Sequence, residues 1–235
     1  MLNFCAMHDL SPAVPSPGTS REAFIAGSAG RLEALIAAPP DVAPAGICVV
    51  CHPHPLYGGA MSNKVVWTLA SCALKAGLLT ARFNFRGVGK SEGSFDNAVG
   101  ETEDVLAVVD WLRAIQPAGQ PDQPLLLAGF SFGAYVSLKA AAVARPAALV
   151  SIAPPFGRIV DSTSPPPHPR CPWLVVHSGD DDVVACADTR AVLDTYDPPP
   201  SFVRFEGAGH FFHGQLGPLQ EAVLPFLQAH LAPPA

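Results

Sequence analysis

Charge is scarce in this chain. Only 14% of its 235 residues are Asp, Glu, Lys or Arg, and 14 basic against 20 acidic side chains leave a net charge of −6. With no basic block anywhere, the sequence lacks the electrostatic footprint of a nucleic-acid binder or a polybasic membrane anchor. Long apolar runs are also missing: 49% of the residues are hydrophobic, yet none forms the run of about eighteen that a membrane-spanning helix needs. The first ten residues include Asn3, His8 and Asp9 and have neither the basic start nor the apolar stretch of a signal peptide, so a cytoplasmic address is expected. The six cysteines are too dispersed for a secreted disulfide framework. Cys48 and Cys51 form a Cys-x-x-Cys, but it lies in an apolar run that reads as a buried strand and no second such pair follows. Buried free thiols are expected there rather than a metal or redox centre.

What is present suits one substantial core and one domain over residues 21–235. Residues 1–20, with Pro12, Pro15, Pro17, Ser11, Ser16 and Gly18, read as a loose tail. Residues 21–38 read as two strands around the turn Gly27-Ser28-Ala29-Gly30. Strand runs then follow at 47–51, 78–85, 125–128, 147–152, 173–177 and 202–205. Between them lie helical periods at 62–76, closed by Gly77, at 101–115, with Glu101, Glu103 and Asp104 at the positive end of its dipole, and at 131–144. A last helix is expected over 217–231, kinked or late-starting because of Pro225. Residues 162–172, rich in proline, read as a surface loop too short to be a cap. Alternating strands and helices of these lengths predict a mostly parallel sheet with helices on both faces.

One stretch carries chemistry. Gly129-Phe130-Ser131-Phe132-Gly133 follows a buried strand and opens a helix, the setting of a nucleophile elbow. A nucleophilic serine there needs a very tight turn, which bulky neighbours at 129 and 133 would obstruct. The helix start also offers N–H groups to a developing oxyanion. A serine hydroxyl needs a base, and in this fold the order is serine, acid, histidine. His210, in a glycine-rich loop after the last strand, is the expected base, with His213 a packing neighbour. The acid should end the preceding strand, where Asp180, Asp181 and Asp182 compete. The spacing Gly-x-x-Asp before an apolar pair favours Asp182, with Asp181 next. Oxyanion donors are expected from the backbone of Phe132 and of His54; Pro53 and Pro55 have no N–H, and Leu56 or Tyr57 are reserves. His52, His54, His210 and His213 could instead be read as metal ligands, but no acid joins them in a recognisable spacing, and no metal or organic cofactor is expected.

These residues resemble small bacterial α/β-hydrolases related to the dienelactone hydrolases. The resemblance rests on His52-Pro53-His54-Pro55 with Gly58-Gly59 and Asn63-Lys64, on Arg82-Phe83-Asn84-Phe85-Arg86-Gly87-Val88-Gly89, on the Ser131 elbow and on His210-Phe211-Phe212-His213-Gly214, spanning about residues 31–216. It implies an α/β-hydrolase fold without a cap domain and a Ser131–Asp182–His210 triad. True dienelactone hydrolases use a cysteine nucleophile, so their substrate does not carry over. Arg86 is expected to pack under the elbow against backbone carbonyls, with a contact to a substrate carboxylate as the lesser alternative. The expected activity is hydrolysis of small carboxylic esters through an acyl-enzyme, in an open pocket lined by Tyr57, Phe132, Pro154 and Pro155. A thioesterase, a small peptidase and a catalytically silent binding protein are the rivals. The expected partner is a small-molecule ester, without nucleic acid or membrane; a two-fold dimer is the default oligomer.

Overall fold

Residues 46–51, 125–130 and 173–178 are each six buried residues in a row, and this pattern belongs to strands covered on both faces. The computed structural model describes residues 13–116, 123–158 and 166–231; residues 1–12 of the predicted tail (1–20) and part of the proline-rich segment lie outside them, whereas the tail's end is tied in, with the Gly18 N–H donating to the Pro39 carbonyl at 3.1 Å and Ser20 opening the first strand. The eight strands form one sheet in the order β1-β2-β4-β3-β5-β6-β7-β8. β1 (Ser20–Gly27) and β2 (Gly30–Ala37) make the predicted hairpin and add antiparallel to β4 (Leu78–Phe83). From β4 onward every pairing is parallel, through β3 (Gly46–Cys51), β5 (Leu125–Phe130), β6 (Ala148–Ile152), β7 (Trp173–Ser178) and β8 (Ser201–Phe205).

Two apolar layers sandwich the sheet. On one face α1 (Lys64–Lys75) and α5 (Leu216–Leu231) pack together over Cys48, Val50, Leu126, Ala128 and Val150. On the other lie α2 (Gly100–Ala114), α3 (Phe132–Ala144) and α4 (Cys186–Leu193), over Val49, Leu127, Leu149 and Val175. Alternate residues of one strand thus serve opposite cores. Each fully buried Leu or Val contributes about 1.5–3 kcal/mol to folding. α1 starts where the Asn63 side chain caps the Val65 N–H at 2.8 Å, and ends at Gly77, whose φ of +82° breaks the helix.

Two expectations change. α5 begins at Leu216 and runs through Pro225, so it does not start late. α4 was not foreseen. It is eight residues long and buries only Thr189, Val192 and Leu193, too short a stripe to stand out in the sequence.

The winding reverses between β3 and β5. From β3 the chain steps outward to β4, then returns past β3 to β5 and continues to β6, β7 and β8. The crevice above the carboxyl ends of β3 and β5 is therefore the switch point where such sheets hold ligands.

Candidate active site

Ser131 follows β5 directly at that crevice, with φ 53° and ψ −121°. This left-handed conformation costs a non-glycine residue about 1–3 kcal/mol and persists only when surroundings enforce it. They do: the Ser131 N–H donates to the Ile152 carbonyl of β6 at 2.8 Å, and its carbonyl accepts from the Ala134 N–H at 2.9 Å. A Cβ on Gly129 would collide with the Gly133 carbonyl, and one on Gly133 with the carbonyls of Cys51 and His52 at the end of β3. The glycines are thus required by close approach of backbone, as the elbow reading expects.

His210 reaches the serine from the loop after β8. Its Nε2 lies 3.1 Å from Ser131 Oγ, and its Nδ1 lies 2.8 Å from Asp181 Oδ2. An ionised carboxylate only accepts, so Nδ1 carries the ring proton and Nε2 is free to accept from the serine hydroxyl. The carboxylate in contact is Asp181, not Asp182: the expected spacing is one residue out. Asp181 Oδ1 accepts from the N–H groups of Val183 and Val184 at 2.9 and 2.7 Å, which folds the turn around it and leaves Oδ2 to His210. Burial opposes its charge, but the His210 hydrogen bond and the Val184 N–H outweigh that and hold its pKa below the usual carboxylate value. Asp182 is exposed. Asp180 plays a different part, since its Oδ1 accepts from Ser178 Oγ at 2.6 Å and from the Ala208 N–H at 3.2 Å, tying the histidine loop to the end of β7. Behind Asp181, the buried ring of His177 lies 3.9 Å from Oδ2 and 3.2 Å from Thr189 Oγ1. Desolvation holds the His177 pKa below its ordinary value.

The loop after β3 folds onto itself. His54 accepts at its carbonyl from the N–H groups of Tyr57 and Gly59, both at 3.1 Å, and at Nδ1 from the Leu56 N–H at 3.3 Å. The reserve donors Leu56 and Tyr57 are thus consumed, whereas the N–H groups of His54 and Phe132 donate to no described residue. Their side chains meet beside the serine, with ring centroids 4.9 Å apart. His52 pins the start of this loop. Its Nδ1 lies 2.6 Å from the Pro53 carbonyl and its Nε2 accepts from the Phe85 N–H at 3.0 Å. Burial lowers its pKa to about 4. With both ring nitrogens engaged, His52 has no lone pair left for a metal. Among the described residues no group of three or more His, Cys, Asp or Glu side chains is placed to hold a metal ion.

A cleft of about 320 Å³ opens over Ser131 and His210 and is lined by Tyr57, Phe132 and Pro155 as expected. Pro154 does not line it; it is buried, and its carbonyl accepts from Thr189 Oγ1 at 3.1 Å. The lining also includes Arg158, which belongs to no motif, and Asn63 and Phe211, which the sequence marks only as part of the resemblance and not as pocket residues. Arg86 is structural, but its partners are carboxylates rather than carbonyls: Nη2 lies 2.7 Å from Asp104 Oδ1 and 3.4 Å from Glu103 Oε2. Glu101 accepts from the N–H groups of Asp96 and Ala98, both at 2.8 Å, and so closes the loop before α2.

An elbow serine, a carboxylate and a histidine in this chain order on an eight-stranded, mostly parallel sheet define an α/β serine hydrolase without a lid. The sequence profile of the family described as X-Pro dipeptidyl-peptidase (S15 family) matches residues 28–164, and the chain belongs to that family. It is 34% identical over 214 residues to an uncharacterized protein of Rickettsia prowazekii (strain Madrid E), covering 87% of each. Among solved structures it is similar to a Xanthomonas campestris protein described as an α/β serine hydrolase without lid. The identity is 39%, the coverage 96% of this chain and 100% of that one, and the TM-score 0.86. An α/β serine hydrolase homologue from Coxiella burnetii is 43% identical, with 88% and 97% of the chains covered and a TM-score of 0.80.

Proposed function

We propose that the protein hydrolyses small carboxylic esters through a Ser131 acyl-enzyme. The observation that supports this most directly is the unbroken contact chain from Ser131 Oγ through His210 to Asp181, at 3.1 and 2.8 Å. His210 Nε2 takes the serine proton as Oγ attacks the ester carbonyl. The N–H groups of Phe132 and His54 stabilise the oxyanion, and each such donor is worth about 3–4 kcal/mol in the transition state. Asp181 holds the tautomer and balances the imidazolium. His210 then protonates the leaving alcohol, and a water repeats the sequence on the acyl-enzyme. The substrate is a small molecule, and no nucleic acid, metal or organic cofactor takes part. The buried free thiols of Cys48, Cys51 and Cys72 accord with a reducing, cytoplasmic setting.

The family description raises peptide cleavage as a rival. An exopeptidase that removes dipeptides must hold a substrate ammonium, which calls for a carboxylate in the cleft. No Asp or Glu side chain of the described residues lines it. Thioesters undergo the same chemistry and are the nearer alternative.

The test is labelling with a fluorophosphonate probe and turnover of para-nitrophenyl acetate, in wild type and Ser131→Ala. Both signals should vanish in the variant. An unlabelled wild type defeats the nucleophile assignment; labelling without ester turnover defeats the substrate class. Because the cleft is small and open, short acyl chains should react faster than long ones, and equal rates count against that pocket assignment.

A further inference from the structure

We propose that Arg158 selects ester substrates that carry a carboxylate. This rests on the ester-hydrolase reading above. The cleft is chemically one-sided. Apart from Ser131, His54 and His210, the polar side chains along it are Tyr57, Asn63 and Arg158. Asn63 spends its Oδ1 on the N–H groups of Val65 and Val66, so its amide hydrogens are what remain to offer. Arg158 is exposed, and its Nη1 donates to the Val183 carbonyl, on the turn that carries Asp181. That neutral acceptor carries no charge to balance the guanidinium, and among the described residues Arg158 pairs with no carboxylate. Asp181, the carboxylate at the triad, has a side chain fully shielded from solvent and already serves His210.

The remaining polar surface of the cleft is therefore rich in donors and positive, and it faces apolar walls at Pro155, Val184 and Phe211. A ligand that satisfies it has an apolar body ending in an acceptor-rich anion. A planar guanidinium fork matches a carboxylate better than any neutral polar group. The same charge repels a substrate ammonium.

Two pairs of substrates test this. In the first, para-nitrophenyl pentanoate and para-nitrophenyl hydrogen glutarate have acyl chains of equal length and differ by a terminal carboxylate. In the second, phenyl acetate and para-carboxyphenyl acetate place the carboxylate on the alcohol side. For at least one pair the charged ester should have kcat/KM about tenfold above its neutral partner, the gain of one charge-assisted contact. The ratio should shrink with added salt, because Arg158 is exposed. In Arg158→Gln it should fall to one or below, and Arg158→Lys should keep part of it. Equal rates within both pairs in wild type overturn the proposal and leave the ester reading intact. A preference that survives in Arg158→Gln overturns the assignment to this residue. Failure to hydrolyse any of the four esters, with Ser131 still labelled, overturns the ester reading and this proposal with it.

Discussion

Asparagine in place of Asp181 should disable the enzyme by reversing the proton on His210. Asp181 Oδ1 accepts two backbone N–H groups, from Val183 and Val184, while Oδ2 accepts from His210 Nδ1. In Asp181→Asn the amide oxygen stays with the two N–H groups, so the NH₂ faces Nδ1. The ring must then accept at Nδ1 and carry its proton on Nε2, the atom that has to receive the proton of Ser131. Turning the amide over restores the tautomer but sets the NH₂ against two N–H groups. At about 1–3 kcal/mol for each lost acceptor, the productive rotamer lies about 2–6 kcal/mol higher and is populated at about 4 × 10⁻² to 5 × 10⁻⁵. The negative charge that balances the imidazolium is lost as well. Together these lower kcat by about three to four powers of ten. The assay is kcat on para-nitrophenyl acetate beside Asp182→Asn, with circular dichroism to confirm folding. Asp182→Asn should stay within about twofold, as an exposed surface substitution. Equal loss in both variants, or loss only at 182, would refute the assignment.

Two further perturbations probe the frame. His52 has a folded-state pKa of about 4 against an ordinary 6.5, so the unfolded chain binds its proton first as the pH falls. Its contribution is complete above about pH 6.5 and is lost on the way down to about pH 4, which amounts to about 3 kcal/mol. Urea unfolding at pH 7 and pH 4.5 should therefore show a smaller drop in His52→Gln than in wild type, and an equal drop would count against a buried neutral ring. Arg86→Ala strands the fully buried side chain of Asp104 and should cost about 3–5 kcal/mol in unfolding free energy. A loss below about 1 kcal/mol would mean that the pair is solvated.

The sequence showed the fold and most of the site because those features are periodic or local. Buried strand runs, glycine-capped helices and the elbow at Ser131 each leave a contiguous mark, and His210 follows the last strand directly. The acid was harder to read. Asp180, Asp181 and Asp182 share one turn, and what separates them is the direction each side chain takes. That is fixed by where β7 ends and by the bonds to Val183 and Val184, neither of which spacing reveals. α4 escaped because only three of its residues are buried. Arg158 carries no motif, and its place beside Ser131 comes only from the sheet bringing the loops after β6 and β5 together.

The backbone at Ser131 has a consequence for how damage to this protein would show itself. Serine holds a conformation there that glycine adopts without steric penalty. Ser131→Gly should therefore fold at least as well as wild type, offsetting glycine's entropy cost with the relief of the turn, while hydrolysing nothing. A cell carrying that allele would keep full amounts of an inert protein. Abundance would then say nothing about function at this position, and only a measurement of turnover could find the lesion.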